Sequence, residues 1–184
     1  TLFTTMLRTI LSKIFEALTG SVGNLVALES SDKVYNTFRK IWFVNFWLVS
    51  FSCAGLFALV NPFIILWVGE SYLLEERVVF IVCLNLYMRL IRNTFLTFND
   101  TYGMFKQLKP KCVAEAIINL TVSLLFVVPM KMGIYGVLLG TFVSNITTNF
   151  WYEPYLLFKK FGVSLKEYFL LFGEYILLTA ISAG

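Results

Sequence analysis

Long apolar stretches separated by short polar links make up most of the chain. Five or six of these stretches come close to the roughly 20 residues that a helix needs to cross a bilayer. The predicted spans are residues 2–28, 41–63, 78–103, 112–128, 134–158 and 167–183. The pattern therefore predicts an all-α, polytopic transmembrane bundle with about six transmembrane helices.

The third stretch, residues 78–103, carries polar groups that lipid does not readily accept. On a continuous helix Arg89, Arg92, Asn93 and Asp100 fall within an arc of about 100°. A charged side chain inside a membrane costs roughly 2.5–3.5 kcal/mol on insertion scales, so such residues usually face a bundle interior or a water-filled path. We therefore expect this face to point into a polar cavity around which the other helices are arranged.

The first helix is the least hydrophobic of the six, so we expect neighbours to shield it or a cavity to lie beside it. Lys13 and Glu16 are three residues apart and close enough to pair. The fourth helix has a second polar stripe at four-residue steps, formed by Glu115, Asn119 and Ser123 after Lys111.

The fifth helix begins with two glycines and continues with a polar face. Gly136 and Gly140 form a small-xxx-small pattern, which is suited to close helix packing. Asn145 and Thr148 belong to the hydroxyl and amide face that follows.

The charges of the links predict the orientation. The links after the first, third and fifth helices hold three Lys or Arg each, whereas the links after the second and fourth hold one each. Under the positive-inside rule the basic loops 29–40, 104–111 and 159–166 are expected to be cytoplasmic. Asn61–Pro62 is expected to end or kink the second helix.

Composition supports the membrane interpretation and excludes several kinds of site. Of 184 residues 58% are hydrophobic and 14% are charged, and the mean hydropathy is +0.77. A soluble domain is typically about 25% charged. The net charge of +4 comes with basic residues in short links, so no nucleic-acid partner is expected. There is no histidine, and we expect no metal or cofactor. Three single cysteines in apolar stretches are expected to be buried thiols: Cys53, Cys83 and Cys112.

Six segments in order resemble the Wzx-type polysaccharide biosynthesis (O-antigen) flippases of the multidrug/oligosaccharidyl-lipid/polysaccharide exporter superfamily, which are MATE-like. The segments are GSVGNLVALESSDKVYNTFRKIWFVNFWL, NPFIILWVGESY, FNDTYGMFKQLKP, EAIINLTVSLLF, MGIYGVLLGTFVSN and WYEPYLLFKKF. The similarity runs from about residue 21 to residue 168. The family has about twelve to fourteen helices in two pseudo-symmetric lobes. By this resemblance residues 1–160 are most of the second lobe, and residues 161–184 begin a following helix that is cut short.

The resemblance implies transport of an undecaprenyl-diphosphate-linked oligosaccharide across the bacterial plasma membrane by alternating access, for surface polysaccharide such as capsule or O-antigen. The implied partners are that lipid-linked glycan, membrane lipids, the missing first lobe and the polysaccharide polymerase machinery. We expect the chain to be inactive without the first lobe, because one lobe alone encloses no cavity.

Helix geometry supplies the candidate site residues. Arg89 and Arg92 suit a diphosphate, because guanidinium groups bind phosphate oxygens in pairs. The amide and hydroxyl candidates for sugar hydroxyls are Asn93, Asn119, Asn145 and Thr148. The candidates for ion coupling, or for pairing with the arginines, are Glu16, Asp100 and Glu115. The alternative to ligand binding is that the two arginines pair with a carboxylate of a neighbouring helix and fix the bundle.

Other functions remain open from the sequence. A lipid II flippase of the same fold is a near alternative that nothing in the sequence excludes, whereas a multidrug or cation antiporter would favour a carboxylate-dominated cavity. A polytopic enzyme acting on the same lipid carrier would need paired acids, usually in a sizeable extramembrane loop. A non-transporting membrane scaffold is the remaining class, and the charges within the spans argue against it.

Overall fold

The computed structural model describes the backbone of residues 2–183 and the side chains of residues 3–179. This part of the chain is helical and contains no β-strand, so the all-α prediction is confirmed. The helices are α1 (Leu2–Leu28), α2 (Ser31–Val68), α3 (Glu76–Leu90), α4 (Asn93–Thr101), α5 (Phe105–Val127), α6 (Gly133–Ser144), α7 (Phe150–Phe161) and α8 (Leu165–Ala183). A 3₁₀ turn (Glu70–Tyr72) follows α2, and a π-helical segment (Asn145–Asn149) joins α6 to α7.

Three helical stretches of the described chain are long and apolar enough to cross a membrane: Ser31–Val68, Glu76–Thr101 and Phe105–Val127. This is consistent with a membrane protein that crosses the bilayer more than once. The first, fifth and sixth predicted spans are helical in the structure, and their passage through the membrane stays a prediction.

Two links expected to be loops are helical instead. Residues 31–40 form the first turns of α2, and residues 105–111 form the first turns of α5. Lysine is a good helix former, and Asp32 in the first turn of α2 favours the helix N-terminus. The helix α2 is about 57 Å long by its 38 residues, well beyond a hydrocarbon core of about 30 Å, so its polar turns need not lie in lipid. It also continues through Pro62 to Val68.

Two stretches expected to be single helices are broken. The stretch predicted at 78–103 divides into α3 and α4 at Ile91 and Arg92, which form a turn. The stretch predicted at 134–158 contains the π-helical segment between α6 and α7. Both irregularities lie beside the polar groups described below.

Aromatic side chains from four helices form the core. Phe38 and Trp42 of α2 are fully buried and contact Phe95 of α4, with ring centroids 5.3 and 5.2 Å apart. Tyr168 of α8 stacks on Trp42 at 5.4 Å, and Phe158 of α7 lies against Phe38. The helix α8 is thus packed onto the same core as α2, α4 and α7. A smaller apolar cluster joins α1, α2 and α3.

The helices α5 and α6 form a closely packed antiparallel pair. A Cβ added to Gly140 would lie 2.8 Å from the backbone nitrogen of Ser123 and 2.9 Å from its Cα. At Gly136 an added Cβ would lie 2.9 Å from the Cβ of Phe126. The two glycines therefore let α6 approach α5, as the small-xxx-small pattern predicts.

Candidate functional site

A cleft of about 900 Å³ opens among α1, α3, α4, α5 and α6. Its lining is rich in polar side chains, including hydroxyls from α1 and amides from α3, α4 and α5. The charged residues of the lining are Arg8, Lys13, Arg89, Arg92, Lys111, Glu16, Glu115 and Glu153. Five basic and three acidic side chains give this described lining a net charge of +2. A concave polar surface with excess positive charge attracts anions.

An ion cluster lies at one side of the cleft, centred on a carboxylate with no exposed surface. Arg92 donates through Nε to Glu153 Oε2 at 2.8 Å and through Nη2 to Oε1 at 2.5 Å. Lys111 Nζ donates to the same Oε1 at 2.7 Å. The side chains of Arg92 and Lys111 are 16% and 6% exposed, against 0% for Glu153. This cluster, called the ion triad below, joins the α3–α4 junction, α5 and α7.

Arg92 and Lys111 carry two positive charges, whereas the Glu153 carboxylate that they share carries one negative charge. A second carboxylate, that of Glu115, lies near Lys111 and reduces this excess of positive charge. Glu115 Oε2 lies 3.6 Å from Lys111 Nζ, and the Glu115 side chain is 29% exposed. Lys111 thus lies between the buried Glu153 and a carboxylate that reaches the cleft. Groups of this kind are expensive to bury unless they are paired and hydrogen-bonded.

The break between α3 and α4 is held by a side chain from α2. The turn at Ile91 and Arg92 interrupts the helical hydrogen bonds, and Asn45 Nδ2 donates to the carbonyls of Leu90 at 3.2 Å and Ile91 at 3.1 Å. Asn45 is completely buried. Satisfying backbone carbonyls in this way makes a broken helix tolerable in a low-dielectric interior.

The π-helical segment presents an amide to the ion triad. Asn145 Oδ1 accepts from Arg92 Nη1 at 3.3 Å and from Asn149 Nδ2 at 2.8 Å, while Asn145 Nδ2 donates to the carbonyl of Thr141 at 2.9 Å. Single π-helical turns inside α-helices occur frequently at functional sites. Glu153 follows this segment by one turn and directly precedes Pro154, which lies inside α7.

Arg89 differs from Arg92 in its surroundings, although both line the cleft. Arg89 is exposed and forms no ion pair with the described residues. Arg8 of α1 lines the same cleft, is also exposed, and likewise has no ion-pair partner among them. These two guanidinium groups are therefore available to an anion in the conformation seen here.

The structure brings most, but not all, of the candidate residues together. The following candidates line the cleft: Arg89, Arg92, Asn93, Asn119, Asn145, Glu16 and Glu115. Asp100 is exposed near the end of α4 and lies outside the described lining, which includes Asn93 and Leu96 of the same helix. Thr148 is buried and donates to the carbonyl of Ser144 at 2.5 Å, so its hydroxyl is used within the helix. Lys13 and Glu16 form the expected pair at 2.5 Å, with both side chains exposed.

Sequence reasoning missed the carboxylate at the centre of the ion triad. Glu153 is not among the sequence-based candidates, and Lys111 enters the sequence analysis only as the residue that precedes the Glu115 stripe. A signal was present, because Glu153-Pro154 lies within a run of aromatic and apolar residues. The prediction for one thiol is wrong: Cys53 and Cys83 are buried, whereas Cys112 is exposed and lines the cleft.

The described residues contain no group of three His, Cys, Asp or Glu side chains that could hold a metal ion. No protein-family model matches the chain, and no curated protein and no solved structure is significantly similar to it.

Proposed function

We propose that the chain is part of a membrane transporter that moves a lipid-linked anion, an undecaprenyl-diphosphate-linked oligosaccharide, from one leaflet to the other by alternating access. The observation that carries the proposal is the polar cleft of about 900 Å³ with its net positive lining. A volume of this order accommodates a ligand of several hundred daltons. The resemblance to polysaccharide flippases supplies the identity of the substrate.

In this proposal the exposed arginines bind the diphosphate. Arg8 and Arg89 come from different helices, α1 and α3, and face one cleft. A guanidinium group donates two parallel hydrogen bonds to phosphate oxygens and remains charged at every physiological pH. The amides of Asn93 and Asn119 line the same cleft and supply donors and acceptors for sugar hydroxyls.

The lipid tail of such a substrate needs an apolar environment next to the cleft. The outer face of α5 exposes Val113, Ile117, Leu120 and Leu124. The polar face of the same helix lines the cleft with Lys111, Glu115 and Asn119. One helix therefore separates a polar path for the headgroup from a surface suited to acyl or polyprenyl chains.

The excess of basic residues in the lining favours an anionic substrate over the cation that an antiporter of the same superfamily would carry. It does not distinguish between one lipid diphosphate and another, so lipid II remains the alternative substrate within the same chemistry.

A complementation experiment tests the proposal. The complete gene is deleted in its host and restored as wild type, as Arg89→Ala or as Arg77→Ala. Arg77 is the matched control, because it also belongs to α3 but is exposed outside the cleft lining. We expect R89A to lower surface polysaccharide by about tenfold or more, since a charge-assisted phosphate contact contributes about 1.5–3 kcal/mol. We expect R77A to match wild type.

Lipid-linked repeat units are quantified in the same cells, together with the amount of protein in the membrane. The proposal requires repeat units to accumulate in R89A cells at normal protein levels. Normal polysaccharide from R89A would contradict a cationic substrate path. If polysaccharide is normal but lipid II accumulates, the substrate is the alternative one.

A further inference from the structure

We propose that Glu153 is an internal competitor for the anionic substrate: it occupies Arg92 and Lys111 in this conformation, and a diphosphate entering the cleft displaces it. The inference rests on the proposed function, because it concerns how the same cleft is regulated. It assigns to Glu153, which is not among the sequence-based candidates, a role in positioning Arg92 and Lys111.

The contacts of Glu153 are those that a diphosphate would make. One of its oxygens accepts from both Arg92 and Lys111, at 2.5 and 2.7 Å, and the other accepts from Arg92 at 2.8 Å. Two anionic oxygens facing a guanidinium fork and an ammonium reproduce the geometry by which phosphate is recognised. A diphosphate carries more charge than one carboxylate and can therefore compete for the same two cations.

The cations of the ion triad border the cleft, Arg92 with 16% and Lys111 with 6% of its side chain exposed. Arg92, Lys111 and Glu153 all contribute to the lining that also contains Arg89. Arg89 and Arg92 are three residues apart, at the end of α3 and in the turn that follows it. An anion bound first at Arg89 is thus brought beside the ion triad.

Displacing Glu153 would uncouple three helices close to a turn, two prolines and a π-helical segment. Arg92 belongs to the turn between α3 and α4, Lys111 follows Pro110 in α5, and Glu153 lies between the π-helical segment and Pro154 in α7. Kinks and hinges in helices are concentrated at prolines and π-helical turns. Binding energy spent on separating Glu153 from its cations would therefore be converted into movement of α7 relative to α4 and α5.

Binding of inorganic diphosphate tests the proposal directly. The chain is reconstituted in lipid nanodiscs, and the dissociation constant of diphosphate is measured for wild type, Glu153→Gln and Glu29→Gln. E29Q is the matched control, because Glu29 is also ion-paired, with Lys33 at 2.6 Å, but is exposed and lies outside the cleft lining. We expect E153Q to bind diphosphate about tenfold more tightly than wild type, since the competing charge is gone. We expect E29Q to change the constant by less than about twofold.

A purely structural Glu153 would give a different result. E153Q would then bind diphosphate as wild type does or more weakly, and that outcome would overturn the proposal. If E153Q does not fold, Glu153→Asp replaces it: the shorter carboxylate keeps the charge but cannot hold both cations at the same distances. Competition predicts an intermediate gain in affinity for E153D, whereas a structural role predicts none.

The same data separate this inference from the proposed function. Tighter binding by E153Q that is lost when Arg89→Ala is added supports both. Diphosphate binding by wild type that E153Q does not strengthen overturns the competition alone. Absence of diphosphate binding from wild type and E153Q together overturns both the competition and the proposed anion path.

Discussion

Replacing Gly140 with alanine provides a stringent test of the close α5–α6 packing. The added Cβ would overlap Ser123 Oγ and would lie 2.8 Å from the backbone nitrogen of Ser123 and 2.9 Å from its Cα. Cβ atoms essentially never approach other heavy atoms within 3.0 Å, so one helix has to move. Overpacking of this kind costs roughly 1–3 kcal/mol, and we expect Gly140→Ala to reduce the free energy of unfolding by that amount.

The position of the overlap makes the prediction more specific. Because two of the three close atoms belong to the backbone of Ser123, removing its hydroxyl with Ser123→Ala cannot restore the lost stability. Gly173 of α8 is the matched control, since an added Cβ there has no atom within 4 Å among the described residues. Gly173→Ala is expected to stabilise the helix by about 0.5–1 kcal/mol, because alanine loses less backbone entropy than glycine on folding.

Both variants can be measured by unfolding in mixed detergent micelles, followed by tryptophan fluorescence, with the SDS fraction as denaturant. The expected order of unfolding midpoints is G173A at or above wild type, with G140A clearly below it. Equal midpoints for G140A and G173A, or full rescue of G140A by S123A, would refute close backbone packing at this position.

Two further variants test interactions between distant parts of the chain by the same unfolding assay. Asn45→Ala removes the two hydrogen bonds to the carbonyls at the α3–α4 break and should lower the free energy of unfolding by about 1–3 kcal/mol. The control is Asn36→Ala at an exposed position of the same helix, which should change the free energy of unfolding by less than about 0.5 kcal/mol. Equal effects of the two variants would contradict the role of Asn45. The Tyr35 hydroxyl donates to Glu167 Oε1 at 2.5 Å and so joins α2 to α8. Tyr35→Phe removes this hydrogen bond and should lower the free energy of unfolding by about 1 kcal/mol. Adding Glu167→Gln should lower it no further, and an additive loss of stability would argue against a direct bond.

The positions of the helices follow from local sequence because each apolar stretch is long and its period is helical. The bounds predicted for the first helix, 2–28, are those of α1. Helix propensity also acts where loops were expected, since the lysine-rich residues before the fourth span extend α5 to Phe105. Charge in a link therefore gives little information on whether that link is coiled or helical.

The breaks inside the helices could not be predicted from local pattern, because distant residues stabilise them. The carbonyl freed at Ile91 accepts a hydrogen bond from Asn45 Nδ2, and Asn45 lies 46 residues earlier in the chain. The partner of Arg92 is Glu153, 61 residues later, rather than any of the carboxylates proposed from helical geometry. A helical wheel gives the face on which a side chain lies but not how far a cleft extends along the helix: of α4, Asn93 and Leu96 belong to the described lining, whereas Asp100, about one turn farther on, does not.

The accessibility of Cys112 tests the central claim, a water-filled cationic cleft, most directly. Cys53 and Cys83 are buried, so they are replaced with alanine, which leaves Cys112 as the reactive thiol at the cleft. Its rate of modification is then compared for two methanethiosulfonate reagents of similar size, one carrying a sulfonate and one a trimethylammonium group.

We expect the anionic reagent to react faster by on the order of tenfold at low salt, with the preference reduced by Arg89→Ala and by added inorganic diphosphate. A thiol that reacts with neither reagent, or that prefers the cationic one, would contradict a water-filled cleft that attracts anions.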